Sequence, residues 1–391
     1  MLKGRVKTAT PASVREVNRS IILNLIRLHQ PVSRAGLSDL TGIHPSNISS
    51  IVDELIAWQL ITEQKIAPRG RGRTPVMLSL SPGAFLVIGV SVRANGTAVC
   101  LADANGRAVA SVSFQTPSTP GKFIDALGAA IDSLRRRGSA KREIKRLCIG
   151  VPGLVNLDRG EIHWIPSLPQ YSGFPLRAAV ESQTGIRASV ANDCDLAAIA
   201  ERWLSEQPSQ MRDFVFLNIG TVGVGAGIII NGDLCKGHDS MFAGEFGHMA
   251  ISPDGPLCSC GRRGCWELYV CDKATWARYD AEEEYTESRF SELMLLARAG
   301  DRRALRAVSE TAAYLSLGIS NIVFALNPRV VILSGYVTAI WDIVRPHLSS
   351  AYSSPRVRFE IRPSRVPAEE LFLQGAVSYA LGGLYAKPQL G

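Results

Sequence analysis

Apolar residues recur at helical spacing through the first sixty positions. Val14, Val17, Ile21, Leu25 and Leu28 fall on one face, which predicts a helix over Ser13–Leu28. Pro31 breaks it, and Ser33 is placed to cap a second, short helix carrying Leu37 and Leu40. Thr41-Gly42-Ile43-His44 reads as a tight turn, and Pro45 suits the first position of a third helix. That helix runs to about Trp58 and turns Ile48, Ile51, Val52, Leu55 and Ile56 inward. Two short helices joined by a glycine turn are the outline of a helix-turn-helix. Its outward residues, His44, Ser46, Asn47, Ser49 and Ser50, are small and polar, fit to approach base edges and phosphates in a major groove. A generic three-helix bundle would more often place Glu and Lys there.

Strand-like arms at Leu60–Glu63 and Val76–Leu80 frame a basic, glycine-rich tip, Arg69-Gly-Arg71-Gly-Arg73-Thr-Pro75. This is the outline of a wing, with Arg71 and Arg73 placed to enter a narrow minor groove. A solvated basic linker is the competing description.

Beyond residue 84 the pattern changes to short apolar runs separated by helical stretches. Leu86–Val92, Leu147–Val151, Phe214–Ile219 and Val330–Leu333 read as buried strands. Asn231-Gly232 is a strong hairpin signal. Asp280-Ala-Glu-Glu-Glu-Tyr285 reads as a solvated helix face without chemistry. The alternation predicts an α/β body of two lobes around a cleft, over residues 84–391, preceded by a DNA-binding module over residues 1–80.

Charge sharpens that division. The chain of 391 residues carries a formal net charge of +8. Residues 1–80 hold eleven Lys/Arg against five Asp/Glu, while the rest hold 32 against 30. A basic module on a nearly neutral body points to a polyanion partner for the module alone. No apolar run reaches the length of a membrane span, and the basic N-terminus lacks the apolar core of a signal peptide. Three of the eight cysteines cluster, and the other five are scattered singly, a pattern that fits the reducing cytoplasm.

The clustered cysteines carry the most specific chemistry. His248, Cys258, Cys260 and Cys265 lie within eighteen residues of a polar, glycine-rich stretch. A Cys3His set satisfies structural zinc, which takes four N/S ligands in a tetrahedron. Buried apolar thiols are the bland alternative, but they are not expected in such a loop. Glu245 and Glu267 flank the set. A metal that staples the loop also fixes those acids, and paired, pre-positioned acceptors are what a polyol pocket needs.

Gly244-Glu-Phe-Gly-His248 followed by Cys258-Ser-Cys260-Gly-Arg-Arg-Gly-Cys265-Trp-Glu267 resembles the signature of the ROK family, named for repressor, open reading frame and kinase. The resemblance runs from near Phe85 to the end. It implies an actin/hexokinase-like body and membership among sugar kinases or sugar-responsive transcription factors. It also implies that Asn192-Asp193 holds sugar hydroxyls, together with Glu245, His248 and Glu267, and that Asp193 is the general base in the kinases. Those kinases carry Asp-x-Gly-Gly-Thr at the first phosphate turn. Here Ser91-Val-Arg93-Ala94-Asn95 stands in its place, without the acid or the glycines, which argues against phosphoryl transfer. Thr221–Gly227 resembles the second phosphate loop, although a tight turn between strands is an equal competitor. The usual Gly-Gly near adenosine is replaced by Ser334-Gly335-Tyr336. The N-terminal module resembles the winged helix-turn-helix of ROK repressors, which the kinases lack.

The expectation is a zinc-containing, sugar-responsive repressor that is not an enzyme. It would act as a homodimer or homotetramer on double-stranded operator DNA, with a sugar or sugar phosphate as effector. A sugar kinase with an added DNA module is the alternative. A zinc hydrolase is disfavoured because four protein ligands leave no open position on the metal.

Overall fold

Ser33 and Gly42 bracket the second helix of the chain. The Ser33 hydroxyl accepts from Gly36 N at 3.0 Å, and Gly42, at φ 70°, closes the helix through its N–H to Ser38 O. The structure, a computed structural model, describes residues 11–65, 76–137, 142–205, 210–238, 243–350 and 359–385. The expected elements of the N-terminal module are present: α1 (Pro11–His29), α2 (Arg34–Thr41) and α3 (Pro45–Ala57), with Pro45 in the first turn of α3. Strand β1 (Val32–Ser33) was not legible in the apolar pattern. It pairs antiparallel with β3 (Val76–Leu80), which also pairs with β2 (Ile61–Lys65). The basic tip with Arg71 and Arg73 lies outside the described residues.

The first lobe is built on a five-stranded sheet. Strands β4 (Leu86–Arg93), β5 (Gly96–Asp103) and β6 (Ala108–Phe114) form an antiparallel meander. Helix α4 (Pro120–Arg137) leads to β7 (Ile144–Val151), which pairs parallel with β4. The hairpin β8 (Leu154–Asn156) and β9 (Glu161–Trp164) and helix α5 (Leu176–Thr184) lead to β10 (Ala188–Asn192), parallel to β7. Helix α6 (Asp193–Leu204) then crosses to the second lobe.

There β11 (Phe214–Ile219), β12 (Val224–Ile230) and β13 (Asp233–Leu234) form an antiparallel unit. The β12–β13 turn uses Asn231 and Gly232, both at positive φ as the Asn-Gly signal requires. Helices α7 (Glu267–Val270), α8 (Asp272–Tyr279), α9 (Glu287–Arg298) and α10 (Arg302–Leu326) follow the cysteine-rich loop. Strand β14 (Val330–Gly335) adds parallel to β11, and after α11 (Trp341–Ser350) strand β15 (Glu360–Pro363) adds parallel to β14. Helix α12 (Ala368–Tyr385) returns across the first sheet and packs on α6. A side chain at Gly375 would strike the backbone of Leu196, so glycine permits that crossing.

The stretch Asp280–Tyr285 is irregular rather than helical. Its backbone serves neighbours instead: Glu283 O accepts from the Trp276 indole at 2.7 Å, and Glu284 O accepts from Arg289. Tyr285 packs on Phe290. Charge alone therefore did not make this segment a helix.

The N-terminal module shares a hydrophobic core with the first lobe. Ile22, Ile26, Leu37 and Leu78 join Phe85, Val87, Leu381 and Tyr385 in one cluster. Gln30 accepts from Leu80 N at 2.8 Å and donates to Asn105 at 3.2 Å. Among the described residues no helix is long and apolar enough to cross a membrane.

Candidate effector pocket and metal centre

Asn192 and Asp193 sit where β10 gives way to α6. The Asn192 side chain caps that helix, accepting from Cys194 N at 2.8 Å and Asp195 N at 3.2 Å. Its amide also donates to Gly153 O at 2.9 Å, which leaves one amide hydrogen for a ligand. Gly153 meets this contact at φ 125°, a conformation open to glycine. Capping, the ordinary explanation of an Asn-Asp pair, is thus real here, and it aims Asp193 off the end of the strand.

Four carboxylates converge around that point. Burial pushes Asp193 up to about 6, opposed first by the Arg93 guanidinium. Asp195 is pushed up to about 8 by burial, by Asp193 and by Glu245, with Lys236 opposing. Glu245 is raised by burial; His248 opposes this, while Glu267 and Asp193 add to it. The two lobes therefore present their acids to each other. Nothing in the sequence pattern singled out Asp195, although its place two residues into a helix that starts with Asp193 is a usable signal.

Lobe contact depends on glycine in β12. A side chain at Gly225 or Gly227 would collide with Cys194 on the first turn of α6. These glycines of the Thr221–Gly227 run let β12 lie against the helix that carries Asp193.

The cysteine-rich loop brings its predicted ligands together. The donor atoms of His248, Cys258, Cys260 and Cys265 lie within 4.8 Å of one another. Cys258 Sγ is 3.6 Å from His248 Nδ1, and Cys260 Sγ is 3.6 Å from Cys265 Sγ. Zinc arms of about 2.3 Å to sulfur and 2.0 Å to nitrogen give tetrahedral edges of roughly 3.5–3.8 Å. Donor set and spacing fit a tetrahedral dication. Gly261 and Gly264 take positive φ to close the loop, and Trp266 anchors it, fully buried with its indole donating to Tyr314 O at 2.8 Å.

His248 faces two ways. Nδ1 is turned to Cys258, and Nε2 lies 3.9 Å from Glu245. Glu267 is nearly buried, with Oε1 at 3.1 Å from Cys258 Sγ and 3.4 Å from His248 Nδ1. Its carboxylate thus supports the cysteine loop, and its other oxygen packs close to Gly223 and Gly247.

The outward face of α3 is mixed. His44, Ser46, Asn47 and Ser50 are exposed, while Ser49 is half-buried. His44 caps α3 through contacts with Ser46. Ser50 accepts from Arg15, which also pairs with Glu54.

Arg93 was legible only as an obstruction to phosphate. Its guanidinium instead pairs with Glu369 at 2.6 Å, a partner far along the chain that spacing could not reveal.

A sequence model of the ROK family matches residues 87–373. The xylose repressor of Bacillus subtilis (strain 168) is 29% identical over 90% of this chain and 91% of its own length. The glucokinase of Streptomyces coelicolor is also 29% identical, over 71% of this chain and 90% of its own length. Among solved structures, a ROK family transcriptional regulator, homologous to the E. coli MLC protein, superposes with a TM-score of 0.81 at 24% identity. That superposition covers 94% of this chain and 97% of the other.

Proposed function

The chain belongs to the ROK family, and from that premise we propose that it is a sugar-responsive DNA-binding transcriptional regulator, a repressor of carbohydrate-use genes. One observation carries the reading. The repressor match extends over 90% of the chain and the kinase match over 71%. The surplus corresponds in length to the helix-turn-helix and wing strands of residues 1–80.

In this reading residues 1–80 bind operator DNA and residues 84–391 sense the effector. His44, Ser46, Asn47, Ser49 and Ser50 approach the major groove, and Arg71 and Arg73 the minor groove. A homodimer or homotetramer would present two modules to symmetric half-sites. The sugar enters between the lobes and meets Asn192, Asp193, Glu245, His248 and Glu267. Zinc, held by His248, Cys258, Cys260 and Cys265, supplies a structural cross-link that fixes Glu245 and Glu267. The protein works in the cytoplasm, where its thiols stay reduced. Sugar changes DNA affinity by binding one arrangement of the lobes better than another. It acts as a sensor rather than an enzyme, because Ser91-Val-Arg93-Ala94-Asn95 stands where the kinases carry the acid and glycines of their first phosphate turn.

The test combines two measurements on the zinc-loaded full chain. Calorimetry against free sugars, sugar phosphates and magnesium-ATP should give sugar binding without ATP binding. Selection from a random duplex pool should enrich a paired half-site that sugar releases or tightens. ATP binding with sugar-dependent turnover would instead make this a kinase that also touches DNA.

A further inference from the structure

Strands β4, β7 and β10 run parallel side by side, so their carboxyl ends open on one sheet edge. Ser91 lies opposite Gly150, and Asn192 opposite Val151. Arg93 and Asp193 therefore leave the sheet together, at the edge where open α/β sheets take ligands. Arg93 reaches across to the start of α12, where Nη1 donates to Glu369 Oε1 at 2.6 Å. Its guanidinium lies 5.2 Å from the ring of Phe372. Phe372 in turn packs in one cluster with Cys194, the residue after Asp193. Arg93 is also the cation that opposes the desolvation of Asp193. A pocket otherwise rich in acids thus has one edge with a guanidinium.

That guanidinium is loosely committed. The Arg93 side chain is 35% exposed and Glu369 is 68% exposed. Exposed pairs of this kind contribute little to stability. Glu369 lies in the first turn of the eighteen-residue helix α12, where free N–H groups also favour an anion. The guanidinium keeps its cation–π contact with Phe372 whichever anion it meets, and such a planar fork takes phosphate or carboxylate through two hydrogen bonds.

We infer that Arg93 forms an anion subsite of the effector pocket, and that the effector is a sugar bearing a phosphate or carboxylate at the end nearest Asp193. The inference rests on the sensor reading above and narrows its ligand class. In the free protein Glu369 fills the subsite. The anion of the effector displaces it, and the sugar ring extends from there toward Glu245 and His248. A neutral sugar would leave the Arg93–Glu369 pair in place and gain nothing from it.

Calorimetry on the zinc-loaded full chain tests this with glucose, N-acetylglucosamine, xylose, the 6-phosphates of the first two, glucuronate and inorganic phosphate. At least one anionic sugar should bind about tenfold or more tighter than its neutral parent, an advantage that shrinks with added salt. In Arg93→Met that advantage should fall to about threefold or less, with zinc content and circular dichroism unchanged. Glu369→Gln removes the competing carboxylate and should strengthen binding of the anionic sugar. Preference for a phosphosugar over glucuronate, or the reverse, identifies the anion. Neutral sugars binding as tightly as their anionic partners would overturn the subsite and leave the sensor reading standing. So would an anionic advantage that survives in Arg93→Met, or weaker binding in Glu369→Gln. Silence across the whole panel would overturn both.

Discussion

The guanidinium of Arg27 lies 3.8 Å from the ring centroid of Trp203. Arg27 belongs to α1 of the N-terminal module, and Trp203 to the last turn of α6, the helix that begins at Asp193. Both residues are half-buried, and burial lowers Arg27 to about 10. A cation–π contact at such a half-buried site contributes about 1 kcal/mol. Arg27→Met should retain sugar affinity but narrow the sugar-induced change in duplex affinity by about fivefold, or ~1 kcal/mol. Fluorescence anisotropy of a labelled operator, with and without sugar, reads this directly. An unchanged ratio would remove the contact from the coupling route.

Loss of one thiol should empty the metal centre. Cys258→Ser or Cys260→Ser is expected to purify without stoichiometric zinc, to melt earlier and to respond weakly to sugar, because an ion held by this Cys3His set would close the loop between Glu245 and Glu267. Elemental analysis and thermal melting check this together. A metal-free variant with a full DNA response would exclude a structural role.

Asp193→Asn should separate binding from response. The substitution keeps the shape of the first turn of α6 and leaves the Asn192 cap intact. Basal operator affinity should hold within about twofold, while sugar affinity falls by tenfold or more as a charged acceptor is lost. Unchanged sugar affinity and induction would place Asp193 outside the pocket.

Asp272 offers a pH test in the second lobe. It is 3% exposed, and burial pushes its carboxyl up to about 7 from an ordinary 3.8. Between those values the folded chain holds a proton that the unfolded chain has lost. Its contribution to stability is therefore greatest below the lower value and falls as pH rises through the upper one. Asp272→Asn lacks this dependence. The stability gap in favour of the variant should widen from about pH 4 to pH 7, reach a few kcal/mol at most, and then level off. Urea unfolding across that range would show a constant gap if Asp272 titrates normally.

The elements of the fold and the clustering of the His/Cys donors were legible where local chemistry decides the outcome. Ser33, Gly42 and Pro45 set the helix ends because caps and turns depend on neighbours. The spacing of His248, Cys258, Cys260 and Cys265 forecast a cluster because a short loop can bring only nearby donors together. What stayed hidden depends on distant partners. Arg93 and Glu369 are 276 positions apart. The role of Gly225 and Gly227 is set by Cys194 on another lobe. Asp280–Tyr285 has a polar composition that suits helix and coil alike, and the Trp276 and Arg289 hydrogen bonds decide between them.

The shared cluster of Ile22, Ile26, Phe85 and Tyr385 has a consequence for the DNA itself. A reading head tied on by a floppy tether can tolerate half-sites set nearer or farther apart. A head seated in the same core as the body cannot swing to follow them. In the proposed dimer or tetramer, spacing between half-sites would then be a ruler engraved in the body, and inserting a few base pairs would erase recognition even with both half-sites intact.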